Sequence, residues 1–243
     1  MSLAKDLSRE LRKLGDRERA VGAKAYLKSE LEFIGITAPV LRKTVTTMER
    51  AAPIASQHAL FAIVNELWAT RVFELEAAAV ELMMHRDELV TSASLPAIKQ
   101  LLGDSHTWAL VDPISTAVLG AVYDREPAIA KTFDAWAKDR DFWVRRAAML
   151  AHLKALRRGA GDWERFARYA DAMLDEREFF IRKAIGWVLR ETSKKRPALV
   201  ADWLEPRVAR ASGVTWREAV KYLPAARGKA LAKARTSAKN ASE

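Results

Sequence analysis

Two segments decide the fold, DFWVRRAAMLAHLK (Asp141–Lys154) and EFFIRKAIGWVLRE (Glu178–Glu191), because they align residue for residue. The offset between them is 178 − 141 = 37 residues, and both run from an acid through aromatic residues to two adjacent cations and an alanine. Weaker copies begin near Asp104, Thr70 and Thr215. A segment that recurs at a fixed period of this length is typical of stacked structural repeats.

The remaining sequence favours helices, since alanine, leucine, glutamate, arginine and lysine dominate and only 10 of 243 residues are glycine. Residues 127–138 and 163–174, which lie between the repeats, are expected to form their partner helices. The sequence therefore predicts an all-α fold, a curved α-solenoid with a basic concave face, formed by one domain over residues 1–225. A plain helical bundle, the alternative, does not explain the regular period. Residues 226–243 are rich in alanine and lysine, and we expect a frayed or disordered basic tail.

The chain carries an excess of positive charge. Its 41 lysine and arginine residues, against 31 acidic residues, give a formal net charge of +10. An excess of this size is typical of proteins with a polyanionic partner, either nucleic acid or a membrane surface. Charge alone fits an ordinary basic surface equally well.

Several function classes are excluded by residue types that the sequence lacks. There is no cysteine, so disulfides, thiolate catalysis and cysteine-type zinc sites are excluded. The four histidines are scattered without metal-ligand spacing. No apolar run approaches the roughly 20 residues of a membrane span, and the N-terminus lacks an apolar signal region. We expect a cytoplasmic protein without a metal site, a cofactor or a membrane partner.

Aromatic, acidic and basic residues are expected to share one face of the repeats. Trp108 and Asp112 lie four residues apart, one above the other on a helix, and the offset of 37 makes Arg145 and Met149 their counterparts. Pro113 lacks a backbone N–H and is expected to kink this helix. Stacking then predicts one groove lined by Trp108, Asp112, Arg146, Trp187 and Arg190.

Each of these residues also has an ordinary interpretation. A tryptophan in a helix is usually part of the core, a single aspartate is usually solvated or a helix cap, and arginine and lysine are usually surface charge. Their convergence on one face of a basic chain favours a groove for a polyanion, with arginine and lysine at the phosphates. The acid between two indoles is not explained by phosphate binding alone.

The strings WALVDPIS, WVRRAAML and EFFIRKAIGWVLRE together resemble the AlkD-type DNA alkylation-repair glycosylases, bacterial enzymes built from HEAT-like helical repeats. The N-terminal stretch AYLKSELEFIGITAPVLRK also resembles this family, so that the resemblance extends from Tyr26 to Leu223. FFIRKAIGWVLRE is its most specific part. The resemblance implies a fold of HEAT-like repeats.

The resemblance also implies roles for individual residues. Asp112, Trp108 and Trp187 match the family's catalytic positions, and Arg146, Arg190 and Tyr26 match its DNA-binding positions. Ala109 departs from the family, in which a second aspartate often follows the tryptophan, and this leaves the substrate range open. Further candidates for phosphate contacts are Arg42, Lys43, Arg145, Lys183, Arg217 and Lys221.

The activity implied by the resemblance is hydrolysis of the N-glycosidic bond of cationic N3- or N7-alkylated purines in duplex DNA. The enzyme is expected to be a monofunctional glycosylase and a monomer, without strand cleavage, a cofactor or an extrahelical base pocket. Two alternatives remain open. One is a non-catalytic module that binds DNA structures, and the other is a HEAT adaptor that binds an acidic protein partner.

Overall fold

The computed structural model describes residues 2–240, and the side chain of residue 239 is not described. The chain divides into two compact units, one ending at Val122 and one beginning at Tyr123. The helices of the first unit are α1 (Leu3–Lys13), α2 (Arg17–Leu27), α3 (Ala38–Ala51), α4 (Gln57–Trp68), α5 (Phe73–His85), α6 (Leu95–Ser105) and α7 (Trp108–Pro113).

After α7 the chain is π-helical over Ile114–Leu119 and then α-helical over α8 (Gly120–Arg125). The helices that follow are α9 (Ala130–Trp136), α10 (Phe142–Leu150), α11 (Leu153–Arg157), α12 (Trp163–Ala172), α13 (Phe179–Ser193), α14 (Pro197–Leu204), α15 (Gly213–Ala219) and α16 (Ala225–Asn240). Short 3-10 turns connect some of them. Within residues 2–240 the only β interaction is one isolated bridge. The all-α prediction is confirmed, whereas the single domain over residues 1–225 stays a prediction.

The sequence repeat is visible in the hydrogen bonds of α10 and α13. Asp141 and Glu178, 37 residues apart, each accept a hydrogen bond from the backbone N–H two residues later, at 2.7 and 3.1 Å. Arg145 and Arg182, also 37 residues apart, each donate to the carbonyl oxygen six residues earlier, at 2.7 Å. Equivalent residues therefore begin and brace equivalent helices, which confirms the alignment of these two segments.

The copy that contains α7 has a different register from the one that the sequence alignment predicts. The cap of α7 is Thr107 and the cap of α10 is Asp141, so these helices begin 141 − 107 = 34 residues apart. Counted from its cap, Asp112 is the equivalent of Arg146 and not of Met149. The prediction was wrong by three residues, because the left-handed residue that ends α6 lies directly before Thr107 and shortens the connection.

The C-terminal segment differs from the frayed or disordered tail that the sequence predicts. Residues 225–240 form α16, while residues 241–243 lie outside the described part of the chain. Leu231 is 1% exposed, and the Arg235 guanidinium lies 4.9 Å from the centre of the Trp216 ring. Arg235 also donates to the carbonyl oxygen of Val208 at 2.5 Å. These contacts hold a helix whose alanine content already favours it.

Two features are absent from residues 2–240, a membrane-spanning helix and a cluster of metal ligands. No helix in this part of the chain is both long and apolar enough to cross a membrane. The same residues contain no group of three or more histidine, aspartate or glutamate side chains arranged to hold a metal ion.

Candidate nucleic-acid interface

In the first unit, α7 carries the predicted acid and one predicted indole. Thr107 caps the helix by accepting a hydrogen bond from the backbone N–H of Ala109, at 3.4 Å. Trp108 is then the first residue of α7 and Asp112 the fifth, so both lie on the same helix face. Both side chains are partly exposed. The shared face that the sequence predicts for these two residues is therefore present.

Pro113 changes the type of helix that follows it. Proline has no N–H to donate to the carbonyl four residues earlier, and the chain is π-helical from the next residue, Ile114. The hydroxyl groups of Ser115 and Thr116 donate to the carbonyl oxygens of Val111 and Asp112, at 2.6 and 2.8 Å. The backbone around the acid is thus irregular but hydrogen-bonded, and π-helical turns are frequent at functional sites.

Tyr26 lies against Trp108. The two rings meet edge to face, with centroids 6.2 Å apart and an angle of 82° between their planes. Tyr26 is nevertheless 74% exposed, and α2, which carries it, has no buried residue. The Tyr26 ring is therefore largely open to solvent beside Trp108.

Glu74, a residue that the sequence analysis missed, anchors the loop that follows α2. Its buried carboxylate accepts hydrogen bonds from the backbone N–H groups of Ile34, Gly35 and Ile36, at 2.8, 2.6 and 3.3 Å. Gly35 has a φ of +86°, and a Cβ there would lie 2.0 Å from the carbonyl oxygen of Asp16. The available signal was an acid inside the apolar stretch FELEAAAV.

The remaining predicted cations of the first unit lie on α3. Arg42 and Lys43 are both exposed. The Nε atom of Arg42 pairs with Glu81 at 2.8 Å, and the Arg42 side chain keeps 61% of its surface exposed. Exposed pairs of this kind contribute little to stability, about 0–1 kcal/mol, so either cation is accessible to a phosphate.

In the second unit, Arg146 is not the surface cation that the sequence predicts. It is only 2% exposed. Its guanidinium donates to the carbonyl oxygen of Phe180 at 2.5 Å and lies 5.8 Å from the centre of that ring. Because α13 packs directly on α10, the Arg146 guanidinium is enclosed by the protein, and its expected role at a phosphate stays a prediction.

Arg145 is also held within the protein. Its guanidinium donates to the carbonyl oxygens of Asp139 and Arg140, at 2.7 and 3.0 Å, and to the carboxylate of Glu176 at 2.8 Å. Only 17% of its side chain is exposed. Arg145 therefore braces the connection before α10, and its expected role as a phosphate contact stays a prediction.

Lys183 and Arg190, on α13, are partly exposed and are joined by an acid that the sequence analysis missed. Glu218 of α15 accepts from Lys183 at 2.5 Å and from the Arg190 guanidinium through its other oxygen. Burial raises the pKa of Glu218, but the hydrogen bond from Lys183 and the charge of Arg190 outweigh it and hold the pKa below its usual value. Glu191 pairs with Arg190 at 3.2 Å.

The other predicted residues of the second unit lie on or near the same two helices. Trp187 is partly exposed and lies three residues before Arg190, on the same face of α13. Arg217 on α15 and Lys221 just beyond it are exposed. The ammonium groups of Lys221 and of Lys194, which was not predicted, lie 6.0 and 5.1 Å from the centre of the exposed Tyr222 ring. The second unit thus offers cations and aromatic surface together.

Fold and site define a class: an all-α protein with partly exposed indoles, a helix-borne acid and accessible cations suited to a polyanion. Residues 7–223 match the family described as "DNA alkylation repair enzyme", and the chain belongs to that family. The resemblance found in the sequence is thereby confirmed at the level of the family.

The fold has a counterpart among solved structures. A structure described as "Predicted DNA alkylation repair enzyme from Enterococcus faecalis" is similar to this chain, with a TM-score of 0.79 and 24% sequence identity. The match covers 87% of this chain and 97% of the other. At this identity the likeness shows the fold, and it agrees with the predicted solenoid of helical repeats. No curated protein matches the chain.

Proposed function

We propose that the protein is a DNA glycosylase that hydrolyses the N-glycosidic bond of cationic N3- or N7-alkylated purines in duplex DNA. The observation that carries this proposal is the α7 face, where Asp112 shares a partly exposed surface with Trp108, and Tyr26 lies against that indole. The family match supports a substrate in alkylated DNA.

The proposed chemistry uses the carboxylate of Asp112 for charge stabilisation. Alkylation at N3 or N7 makes the purine a cation, so the base departs with the electron pair of the C1′–N bond and needs no general acid. Positive charge then develops on the deoxyribose as an oxocarbenium ion. A carboxylate near C1′ stabilises that charge and orients the water whose oxygen bonds to C1′, while the proton of the water is released.

The indoles are proposed to act on the same developing charge. A cation over the face of a tryptophan is stabilised by about 0.5–2 kcal/mol, and Trp108 and Trp187 are assigned this role. Tyr26 is assigned the support of Trp108 and a contact near the lesion. The hydrolysis proposed for these residues needs neither a metal nor a cofactor. It also provides no lysine nucleophile, so we assign a monofunctional reaction without strand cleavage.

Duplex DNA is proposed to bind through its phosphates. The accessible cations assigned to this role are Arg42, Lys43, Lys183, Arg190, Arg217 and Lys221. Arg145 and Arg146 are assigned to the support of α10 and α13, in agreement with the burial of Arg146 and with the hydrogen bonds of both side chains, and a phosphate contact through either stays a prediction. The base is proposed to stay in or near the duplex, and the active form is assigned as a cytoplasmic monomer.

The test is base release from a duplex that contains N7-methylguanine, with wild-type protein beside Asp112→Asn. The substitution keeps the shape of the side chain and removes its charge, so release is expected to fall by at least 100-fold while duplex binding persists. Asp104→Asn is the matched control, because Asp104 is an exposed aspartate of the same unit and is expected to retain full activity.

Two outcomes contradict the proposal. Equal release by wild type and Asp112→Asn means that the carboxylate is not catalytic. Tight binding to damaged duplex without release by either protein favours a non-catalytic DNA-binding module.

A further inference from the structure

Glu218 accepts hydrogen bonds from Lys183 and Arg190, the two cations of α13 that the proposed function assigns to DNA phosphates. One carboxylate oxygen accepts from Lys183 at 2.5 Å, and the other accepts from Arg190. The Glu218 side chain is only 16% exposed, against 40% for Lys183 and 24% for Arg190. The acid is therefore a fixed part of the fold, and the cations are its more accessible partners.

The position of Glu218 is fixed by close packing between α13 and α15. A Cβ at Gly186 would lie 2.8 Å from the Cβ of Glu218 and 3.1 Å from the Cα of Thr215, so only glycine permits this approach. Thr215 also donates from its hydroxyl group to the carbonyl oxygen of Arg182, at 3.1 Å. These contacts position the Glu218 carboxylate beside α13, between Lys183 and Arg190.

A carboxylate that accepts from a lysine and an arginine has the same recognition chemistry as a backbone phosphate. With Glu218 in place, the three side chains carry a net charge of +1 instead of the +2 of the two cations alone. A phosphate that approaches Lys183 and Arg190 must displace Glu218 or share these donors with it. This competition weakens the binding of any DNA whose phosphate contacts Lys183 and Arg190.

We propose that Glu218 stands in for a DNA phosphate at Lys183 and Arg190 and lowers the affinity of the protein for duplex DNA. The proposal rests on the assignment of Lys183 and Arg190 to phosphate contacts. The loss applies to every duplex that contacts these two cations, so Glu218 keeps the affinity for undamaged DNA low. A lesion adds contacts to its cationic base and sugar, and these contacts make up for the loss in the damaged complex.

The experiment measures the affinity of an undamaged duplex over a range of salt concentrations by fluorescence anisotropy, with wild type, Glu218→Gln and a control. The substitution Glu218→Gln keeps the side-chain shape and removes the carboxylate charge from Lys183 and Arg190, while Arg190 keeps its pair with Glu191. Affinity for undamaged duplex is expected to rise about tenfold near 0.1 M salt, and the slope of log K against log salt is expected to steepen by about 1, the value of one more phosphate contact.

Glu164→Gln is the matched control, because Glu164 is an exposed glutamate on α12 and its removal changes the net charge equally. If Glu164→Gln and Glu218→Gln strengthen binding by the same amount, the effect is one of net charge, and the proposal for Glu218 is overturned. The same duplex with an N7-methylguanine is expected to gain affinity by a similar factor in Glu218→Gln, because both duplexes contact the same cations.

The double substitution Lys183→Ala with Arg190→Ala separates this proposal from the proposed function. If the double variant binds DNA as tightly as wild type, these cations do not contact phosphates, and that assignment fails. If it binds more weakly, adding Glu218→Gln to it is expected to raise affinity no more than adding Glu164→Gln does, which is the effect of net charge alone. A larger gain from Glu218→Gln on that background shows that Glu218 acts elsewhere and overturns the proposal.

Discussion

Acidification is expected to destabilise the folded protein through His152. The imidazole is 0% exposed, and neither ring nitrogen has a hydrogen-bond partner among the described residues. The rings of Tyr123, Tyr169 and Phe133 surround it, with centroids 5.1, 5.6 and 6.3 Å away. Burial in this aromatic environment disfavours the imidazolium and lowers the pKa from 6.5 to about 4.

The sign and size of the effect follow from proton linkage. Because the pKa is lower in the folded state, the unfolded chain binds a proton between pH 6.5 and 4 that the folded protein does not. His152 therefore removes stability as the pH falls through this window. A difference of 2.5 pKa units corresponds to about 3 kcal/mol, reached near pH 4.

The assay is urea denaturation at pH 7.5, 6, 5 and 4, followed by circular dichroism, for wild type and His152→Leu. Leucine has a similar volume and does not titrate. Between pH 7.5 and 4, the free energy of unfolding of wild type is therefore expected to fall by about 3 kcal/mol more than that of His152→Leu. His58→Gln is the control, because His58 is exposed. Parallel pH profiles for wild type and His152→Leu refute the argument.

Two further predictions concern the other buried or docked groups. Burial raises the pKa of Glu76 to about 7, so the stability contributed by its protonated form is complete below pH 4.5 and is lost as the pH rises through 7. The substitution Glu76→Gln is expected to remove this pH dependence and to raise the free energy of unfolding at pH 8 by up to about 3 kcal/mol. A variant that is no more stable than wild type at pH 8 contradicts this. Leu231→Ala removes the buried anchor of α16 and is expected to weaken its docking by about 2–3 kcal/mol. Hydrogen exchange in residues 225–240 then accelerates relative to the exposed control Ala230→Ser, and equal exchange rates in the two variants exclude this role for Leu231.

The helical class and the repeat were predictable because both rest on local pattern. Composition and the offset of 37 predicted α10 and α13, and the same pair of caps and arginine braces recurs in the structure. The copy at α7 was displaced by three residues, because the length of a connection depends on how the preceding helix is capped. A repeat period does not contain that information.

The candidate site was predictable where its residues belong to one helix. Trp108 and Asp112 share a face because residues four apart on an α-helix always do. The partners of the cations could not be predicted in the same way. Arg146 and Lys183 are both the fifth residue of their helices, yet one is buried against Phe180 and the other is partly exposed beside Glu218.

The family resemblance, the all-α class, the pairing of two repeat helices and the face that carries the acid all follow from residue types and their spacing along the chain. Folding was needed to show which arginines are buried, that the basic tail forms a docked helix, and that Glu218 pairs with two of the cations predicted to contact phosphates. The difference lies in the range of the interactions. Spacing within a helix is set by the backbone over a few residues, whereas the partners of Arg146 and Lys183 lie 34 and 35 residues away along the chain.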